Sequence, residues 1–180
     1  MPYSCCFILD TRHQLGGFDF DKPVLNDCLL LVIWLQFCYH INMRVVIDTN
    51  VFVGACIGVG ASNAVIRACL QHQVTPLMGE ALLTEFEAVL GRDVLFARSR
   101  LSATERSTLL DTFLARCEWT KIYFLWRPNL TDEADNHLIE LAVAGGADII
   151  VTRNLRDLRG AELRFARLRM FSPEDFLKEL

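Results

Sequence analysis

The amino-acid sequence predicts an α/β sandwich built on a mainly parallel sheet. Three observations carry that expectation. Two short continuous apolar runs, RVVID at 44–48 and DIIVT at 148–152, have the composition of strands buried on both faces. Helical patterns with start signals lie between them, so strand and helix alternate as in layered α/β folds. Hydrophobic residues make up 52% of the 180 and charged residues 22%, enough apolar surface for one packed core.

The elements are read in chain order. Arg44 to Asp48 is the first strand, with Asp48 at its carboxyl end. Val51 to Cys56 opens a helix, and Gly54, Gly58 and Gly60 loosen the stretch beyond it. Ser62 is placed to cap a helix running to about His72. Val74 to Leu77 reads as a short strand. Gly79 to Leu90 reads as a helix with Leu82, Phe86, Val89 and Leu90 on one side. Ser102 and Glu105 form a capping box for a helix through Cys117. Ile122 to Trp126 is apolar and suits a strand or a loop. Thr131 or Asp132 caps a helix that ends at Gly145-Gly146. Asp148 to Thr152 is the second buried strand. Ser172-Pro173-Glu174-Asp175 starts a final helix, with Pro at its first position. In a sheet of this kind, ligands sit beyond the carboxyl ends of the strands. Asp48 and Thr152–Asn154 both fall on that edge.

Composition divides the chain near Met43. Residues 1–42 hold four of the seven Cys, two basic and four acidic residues. Their apolar run, CLLLVIWLQFCY at 28–39, is shorter than the about 20 residues of a membrane span. The acidic stretch before it and the lack of a small-x-small site after it argue against a signal peptide. Residues 1–42 therefore read as an N-terminal extension: a packed element, a partner-binding segment or, preferred here, translation from a start upstream of the true one at Met43. Residues 43–180 form the domain. A net charge of −4 argues against a polybasic nucleic-acid coat. The odd Cys count without C-x-x-C pairs argues against a disulfide scaffold and for a reducing, cytoplasmic setting, with no membrane association.

Three carboxylates stand out. Asp48 closes an apolar strand, where a carboxylate is costly unless paired, hydrogen-bonded or bound to metal. Its other reading is a helix cap. Asp135 falls on the wheel with Leu138, Leu141 and Ala142, toward the core, with Glu140 pointing away; it also suits the positive end of the helix dipole. Glu85 and Glu87 flank opposite edges of one apolar stripe, and periodicity does not choose between them. Acids from one strand end and two helices are oxygen donors of the kind that suit Mg²⁺ or Mn²⁺. Such an ion binds phosphate and activates water. No Ser-His-Asp or Cys-His arrangement emerges, and His137, two residues after Asp135, is expected to face elsewhere.

The blocks VVIDTNVFV at 45–53, LLTEFEAVL at 82–90, DEADNHLIELA at 132–142 and GADIIVTRN at 146–154 together resemble the PIN-domain family, and within it the VapC-like toxin components of toxin–antitoxin pairs. The resemblance spans 43–180. It implies a PIN-like three-layer α/β/α sandwich and a metal-dependent endoribonuclease using Mg²⁺ or Mn²⁺. Carried over by position, Asp48, Glu85 and Asp135 would be the catalytic and metal-holding acids, which settles Glu85 against Glu87. Asn50, Thr152 and Asn154 would orient them. The family commonly has a fourth Asp where this chain has Asn154, so a second metal would bind less well; Asp157 or Asp148 are the nearest substitutes. The resemblance further implies an RNA substrate, an antitoxin partner and a homodimer.

Basic residues gather at Arg92, Arg98, Arg100 and Arg106, and again at Arg153, Arg156, Arg159, Arg164, Arg167 and Arg169. Most suit solvated ion pairs. Arg153 and Arg156, directly after the Thr152 strand, are the candidates for phosphate binding. Two rival functions remain: an inactive PIN module that binds RNA or protein, and a Mg²⁺-dependent phosphohydrolase using Asp48 as nucleophile. Asn50, where the latter would want a second Asp, counts against it.

Overall fold

The structure, a computed structural model, describes residues 43–125, 130, 135–158, 165 and 167–180. The extension 1–42, the caps expected at Thr131 or Asp132, and Trp126, Arg159 and Arg164 lie outside the described residues.

Five strands form one parallel sheet: β1 (Arg44–Ile47), β2 (Thr75–Met78), β3 (Glu118–Trp119), β4 (Ile149–Val151) and β5 (Arg169–Phe171), in the order β3-β2-β1-β4-β5. Val45, Val46, Ile149, Ile150 and Val151 are fully buried, as expected of central parallel strands covered on both faces. The strand order reverses between β1 and β4. That reversal opens a crevice at the carboxyl edge, where such sheets bind ligands. Ile47 is in register with Val151, so Asp48 and Thr152 emerge side by side into the crevice.

The helices are α1 (Thr49–Ile57), α2 (Ala61–Leu70), α3 (Glu80–Leu90), α4 (Ala103–Leu114), α5 (Asn136–Gly145), α6 (Leu155–Leu158) and α7 (Pro173–Glu179), with a 3₁₀ turn at Asp93–Phe96. The α/β/α expectation is met by this layering. Helix α4 begins with the anticipated capping box: Ser102 accepts from Glu105 N, and Glu105 accepts from Ser102 N at 2.8 Å. Ser102→Ala removes that cap and is expected to cost about 1 kcal/mol. In a thermal melt the Tm should fall by roughly 2–6 °C. Helix α5 ends at Gly146, whose φ of 63° is the left-handed conformation that glycine adopts without penalty. Ser172 caps α7 with Pro173 first, as anticipated.

Several local expectations are corrected. Ser62 does not cap α2; Gly60 holds that position without a side-chain bond, and Ser62 lies inside the helix, buried. Helix α4 ends at Leu114 rather than Cys117. Of the two readings of 122–126, the loop holds over its described part, where 121–125 has no regular structure; a short strand that the sequence reading does not mark lies just before it, at Glu118–Trp119. Strand β5 and helix α6 are too short to leave a periodic signature.

The core beneath the carboxyl edge is aromatic. Phe52 of α1 lies 5.0 Å from Phe86 of α3 and 5.5 Å from Phe113 of α4, between ring centroids, and all three are buried. Helix α5 is buried almost all round, from Asn136 to Ala142. Glu140 is therefore inside, at 2% exposure, contrary to the expectation that it points away. It borders a second cavity of about 840 Å³ with Glu80, Thr84 and the Trp119–Ile122 stretch.

Candidate active site

The chain leaves β1 and turns at once into α1. Asp48 makes that turn: its extended backbone caps the helix and its carboxylate accepts from Asn50 N at 3.1 Å. Both sequence readings of Asp48, cap and buried acid, therefore hold together in one residue. Two further donors fix the carboxylate: Asn50 Nδ2 at 2.6 Å and Thr152 Oγ1 at 2.5 Å. Asn50 Oδ1 in turn accepts from Arg153 N at 3.1 Å, so α1 and the end of β4 are laced together through Asn50. Asp48 is 7% exposed. Burial pushes its carboxyl above the ordinary value, against the lowering by the Thr152 and Asn50 hydrogen bonds, and the nearby Glu85 charge raises it further.

Glu85 comes from the middle of α3. Its Oε2 lies 3.1 Å from His137 Nε2. That close contact with the imidazole holds the Glu85 carboxyl below its usual value, with partial burial opposing. The contact corrects the expectation that His137 faces elsewhere. A wheel with one wet face misplaces His137, because α5 is covered almost all round and the side away from Asp135 also packs against a neighbour. Glu87 is exposed on α3.

One cavity of about 300 Å³ at the carboxyl edge is lined by Asp48, Asn50, Glu85, Asp135 and Asn154, with Thr49, Val53, Val89 and Leu95 completing its wall. The three acids singled out in the sequence thus come to one place from β1, α3 and the start of α5. Thr152 lies beneath, fully buried; its hydroxyl donates to Asp48 and accepts from Asn154 N at 2.9 Å and from Asn50 Nδ2 at 3.3 Å, so it reaches the site through those three residues. Asn154 Nδ2 donates to Asp157 at 2.5 Å, which places the Asp157 charge next to the cavity wall. Asp148 does not substitute for the missing acid: it accepts from Arg44 N at the opposite end of the strands.

The phosphate candidates part company. Arg153 turns its guanidinium toward α2, donating to Ser62 Oγ from Nε at 3.1 Å and Nη2 at 2.9 Å, with Glu174 3.5 Å away. It braces α2 and α7 against the end of β4. Arg156 is exposed on α6.

The donor set is all oxygen, which suits a hard divalent cation. The raised Asp48 carboxyl is what an adjoining cation would relieve. Among the described residues, however, no three His, Cys, Asp or Glu side chains close around one metal position. The arrangement fits an ion that keeps waters and is held by one or two carboxylates plus phosphate, the usual habit of Mg²⁺, rather than a closed cage.

The fold has counterparts among solved structures. It resembles that of VapBC2 from Rickettsia felis, solved bound to a DNA fragment from its promoter, at 18% identity over 72% of this chain and 98% of that one, with a TM-score of 0.50. It also resembles PAE2754 from Pyrobaculum aerophilum, at 12% identity over 77% of this chain and 96% of that one, with a TM-score of 0.51. No curated protein matches. The family model of the PIN domain matches residues 44–156. PIN domains are generally nucleases that use divalent metals. With well over half of its length matched, from the first strand to the short helix after β4, the chain belongs to the PIN-domain family.

Proposed function

We propose that this protein is a metal-dependent endoribonuclease and the toxin of a toxin–antitoxin pair. One observation carries the reading: Asp48, Glu85 and Asp135 line a single cavity at the carboxyl edge of a PIN fold. Asp48, Glu85 and Asp135 would hold Mg²⁺ or Mn²⁺ between them, one or two directly and the rest through the ion's waters, and the ion would supply charge neutralisation at phosphate and a water of lowered pKa.

The chain's own residues do the positioning. Asn50 and Thr152 fix both oxygens of Asp48, so its lone pairs are aimed before substrate arrives. His137 holds Glu85 at the opposite wall. Asn154 brings an amide where a fourth carboxylate would add charge. That leaves the site with less negative charge for a second ion. The chemistry is hydrolysis: a water oxygen bonds to phosphorus, the P–O3′ bond breaks, and the products are a 5′-phosphate and a 3′-hydroxyl.

The similarity to the VapBC2 structure supports an antitoxin partner. The family resemblance further suggests a homodimer, and the cysteine usage suggests a reducing, cytoplasmic setting. Asn154 in the cavity wall, neutral where the family commonly has an acid, favours a second reading: a PIN module that binds RNA without cutting it.

The test is cleavage of a mixed RNA pool by the purified chain with Mg²⁺, with Mn²⁺ and with excess chelator. Cleavage in both metals, abolished by chelator and leaving 5′-phosphates, is the expected result. RNA retained but uncut under all three conditions would establish the second reading instead.

A further inference from the structure

Between α3 and α4 the chain runs from Gly91 to Leu101 beside the acidic cavity. Leu95 in this stretch lines the cavity directly. Further on, Ser99 Oγ donates to the carbonyl of Cys56 at 2.7 Å, near the far end of α1. The segment therefore follows α1 outward from the site, over about 13 Å for a nine-residue helix.

Its anchoring is unusual. Arg106 of α4 is buried, at 6% exposure, rather than part of a solvated basic cluster. Its guanidinium lies 4.2 Å from the centre of the Phe96 ring, donates to Leu101 O at 3.2 Å, and pairs with Asp93 at 2.8 Å. A buried arginine needs a partner, and Asp93 is that partner. The pair has a second effect: Asp93, its side chain exposed, is the only acid between Gly91 and Leu101, and Arg106 offsets its charge at 2.8 Å.

Three cations are left on the outside. Arg92, Arg98 and Arg100 are exposed, and none pairs with a carboxylate among the described residues. Between them Val94 is 89% exposed and Leu95 45% exposed, apolar surface with no described neighbour covering it. In a chain of net charge −4, an unpaired cationic strip beside an acidic cavity is a local reversal of sign. A flexible polyanion fits it: phosphates on the arginines, base faces on the apolar tips, and one phosphate carried onward to the carboxylates.

We propose that Arg92–Arg100 is a lip that grips single-stranded RNA on its way into the acidic cavity, with Arg92, Arg98 and Arg100 on consecutive phosphates. The proposal rests on the ribonuclease reading and adds to it the surface that holds the substrate.

The test uses the full chain carrying Asp48→Asn, so that RNA stays intact, and a fluorescein-labelled single-stranded RNA oligonucleotide followed by anisotropy across a salt series. Adding Arg92→Gln, Arg98→Gln and Arg100→Gln together should raise Kd by about 10- to 100-fold near 0.1 M salt. The slope of log K against log salt should lose about two units, at roughly 0.7 for each phosphate contact on a single strand. Arg116→Gln, an exposed cation just beyond the end of α4, should leave both unchanged. All three exposed lip residues are away from the core, so the Tm should hold; a circular-dichroism melt checks that.

An unchanged Kd and slope in the triple variant overturns the lip. So does a loss that appears equally in Arg116→Gln, which would report only net charge. Binding to phosphatidylserine vesicles that depends on the three arginines, with RNA binding unaffected, would make the strip a membrane contact and also overturn the proposal. The ribonuclease reading stands or falls separately, on cleavage by the chain with Asp48 intact. A parent that cleaves while the triple variant binds normally sinks the lip alone. A parent that binds through the lip but never cleaves sinks the nuclease alone, and a parent that does neither sinks both.

Discussion

Replacing Asp48 with Asn should lower RNA cleavage by more than about 100-fold, the scale for losing one group that meets developing charge, while the Tm stays level or rises. The second half of that expectation comes from burial. The carboxyl of Asp48 is raised in the fold. A raised carboxyl stabilises the folded state below its unfolded value, and that contribution is lost as pH rises through the folded value. At neutral pH the ion is thus a net cost that desolvation imposes and three hydrogen bonds only partly offset. Asn keeps the shape and drops the charge. Its amide oxygen still accepts from Asn50 N, and the Thr152 hydroxyl can turn to accept from the new amide; Asn50, whose Oδ1 is held by Arg153 N, keeps its orientation and gives up its bond to position 48. Added Mg²⁺ should show the opposite pattern: it should raise the Tm of the parent, by up to about 2.7 kcal/mol of stability at 100 times Kd, and leave the variant unmoved. Differential scanning calorimetry with and without Mg²⁺, beside a cleavage assay, measures all of this. A variant that melts several degrees below the parent would show that the hydrogen bonds outweigh the buried charge. A variant that still cuts RNA would remove Asp48 from the chemistry.

Much of this site could be read in the sequence because a strand end is a sharp signal. Four apolar or half-buried residues and then Asp put a carboxylate at the edge of a buried sheet, and the DIIVT run put Thr152 beside it. Capping signals worked where the side chain was free to cap: Ser102 and Ser172 both do so. Ser62 looks the same in sequence, yet its hydroxyl is taken by Arg153, 91 residues away, and no local pattern encodes such a partner. Arg153 is diverted from the role of a free cation for the same reason. Arg106 is indistinguishable from its neighbours in sequence, and only its burial against Phe96 sets it apart. Helix α5 misleads differently. A wheel assumes one wet face, whereas α5 is covered almost all round, so Glu140 and His137 are both inside.

Phe52→Ala should be the most destabilising single change near the site. The ring is fully buried between Phe86 and Phe113, and truncating a packed Phe costs about 3–5 kcal/mol. That is a fifth or more of the roughly 5–15 kcal/mol typical of a whole domain, and it should lower the Tm by roughly 10–25 °C. Function should suffer beyond the melt. Phe52 lies two residues after Asn50 on α1, and Phe86 is next to Glu85 on α3, so this aromatic contact sets the separation of the two helices that face each other across the cavity. A cavity left at Phe52 lets α1 and α3 shift, and a displacement near 1 Å is enough to cost about 100-fold in rate. Cleavage measured well below the lowered Tm should therefore still fall, in a protein that circular dichroism shows to be folded. Val94→Ala is the companion measurement: the side chain is 89% exposed, and its loss should change stability by less than about 0.5 kcal/mol. A Phe52→Ala protein melting within a few degrees of the parent, or cutting RNA at the parent's rate when folded, would mean that the aromatic cluster fills space without fixing the distance between the acids.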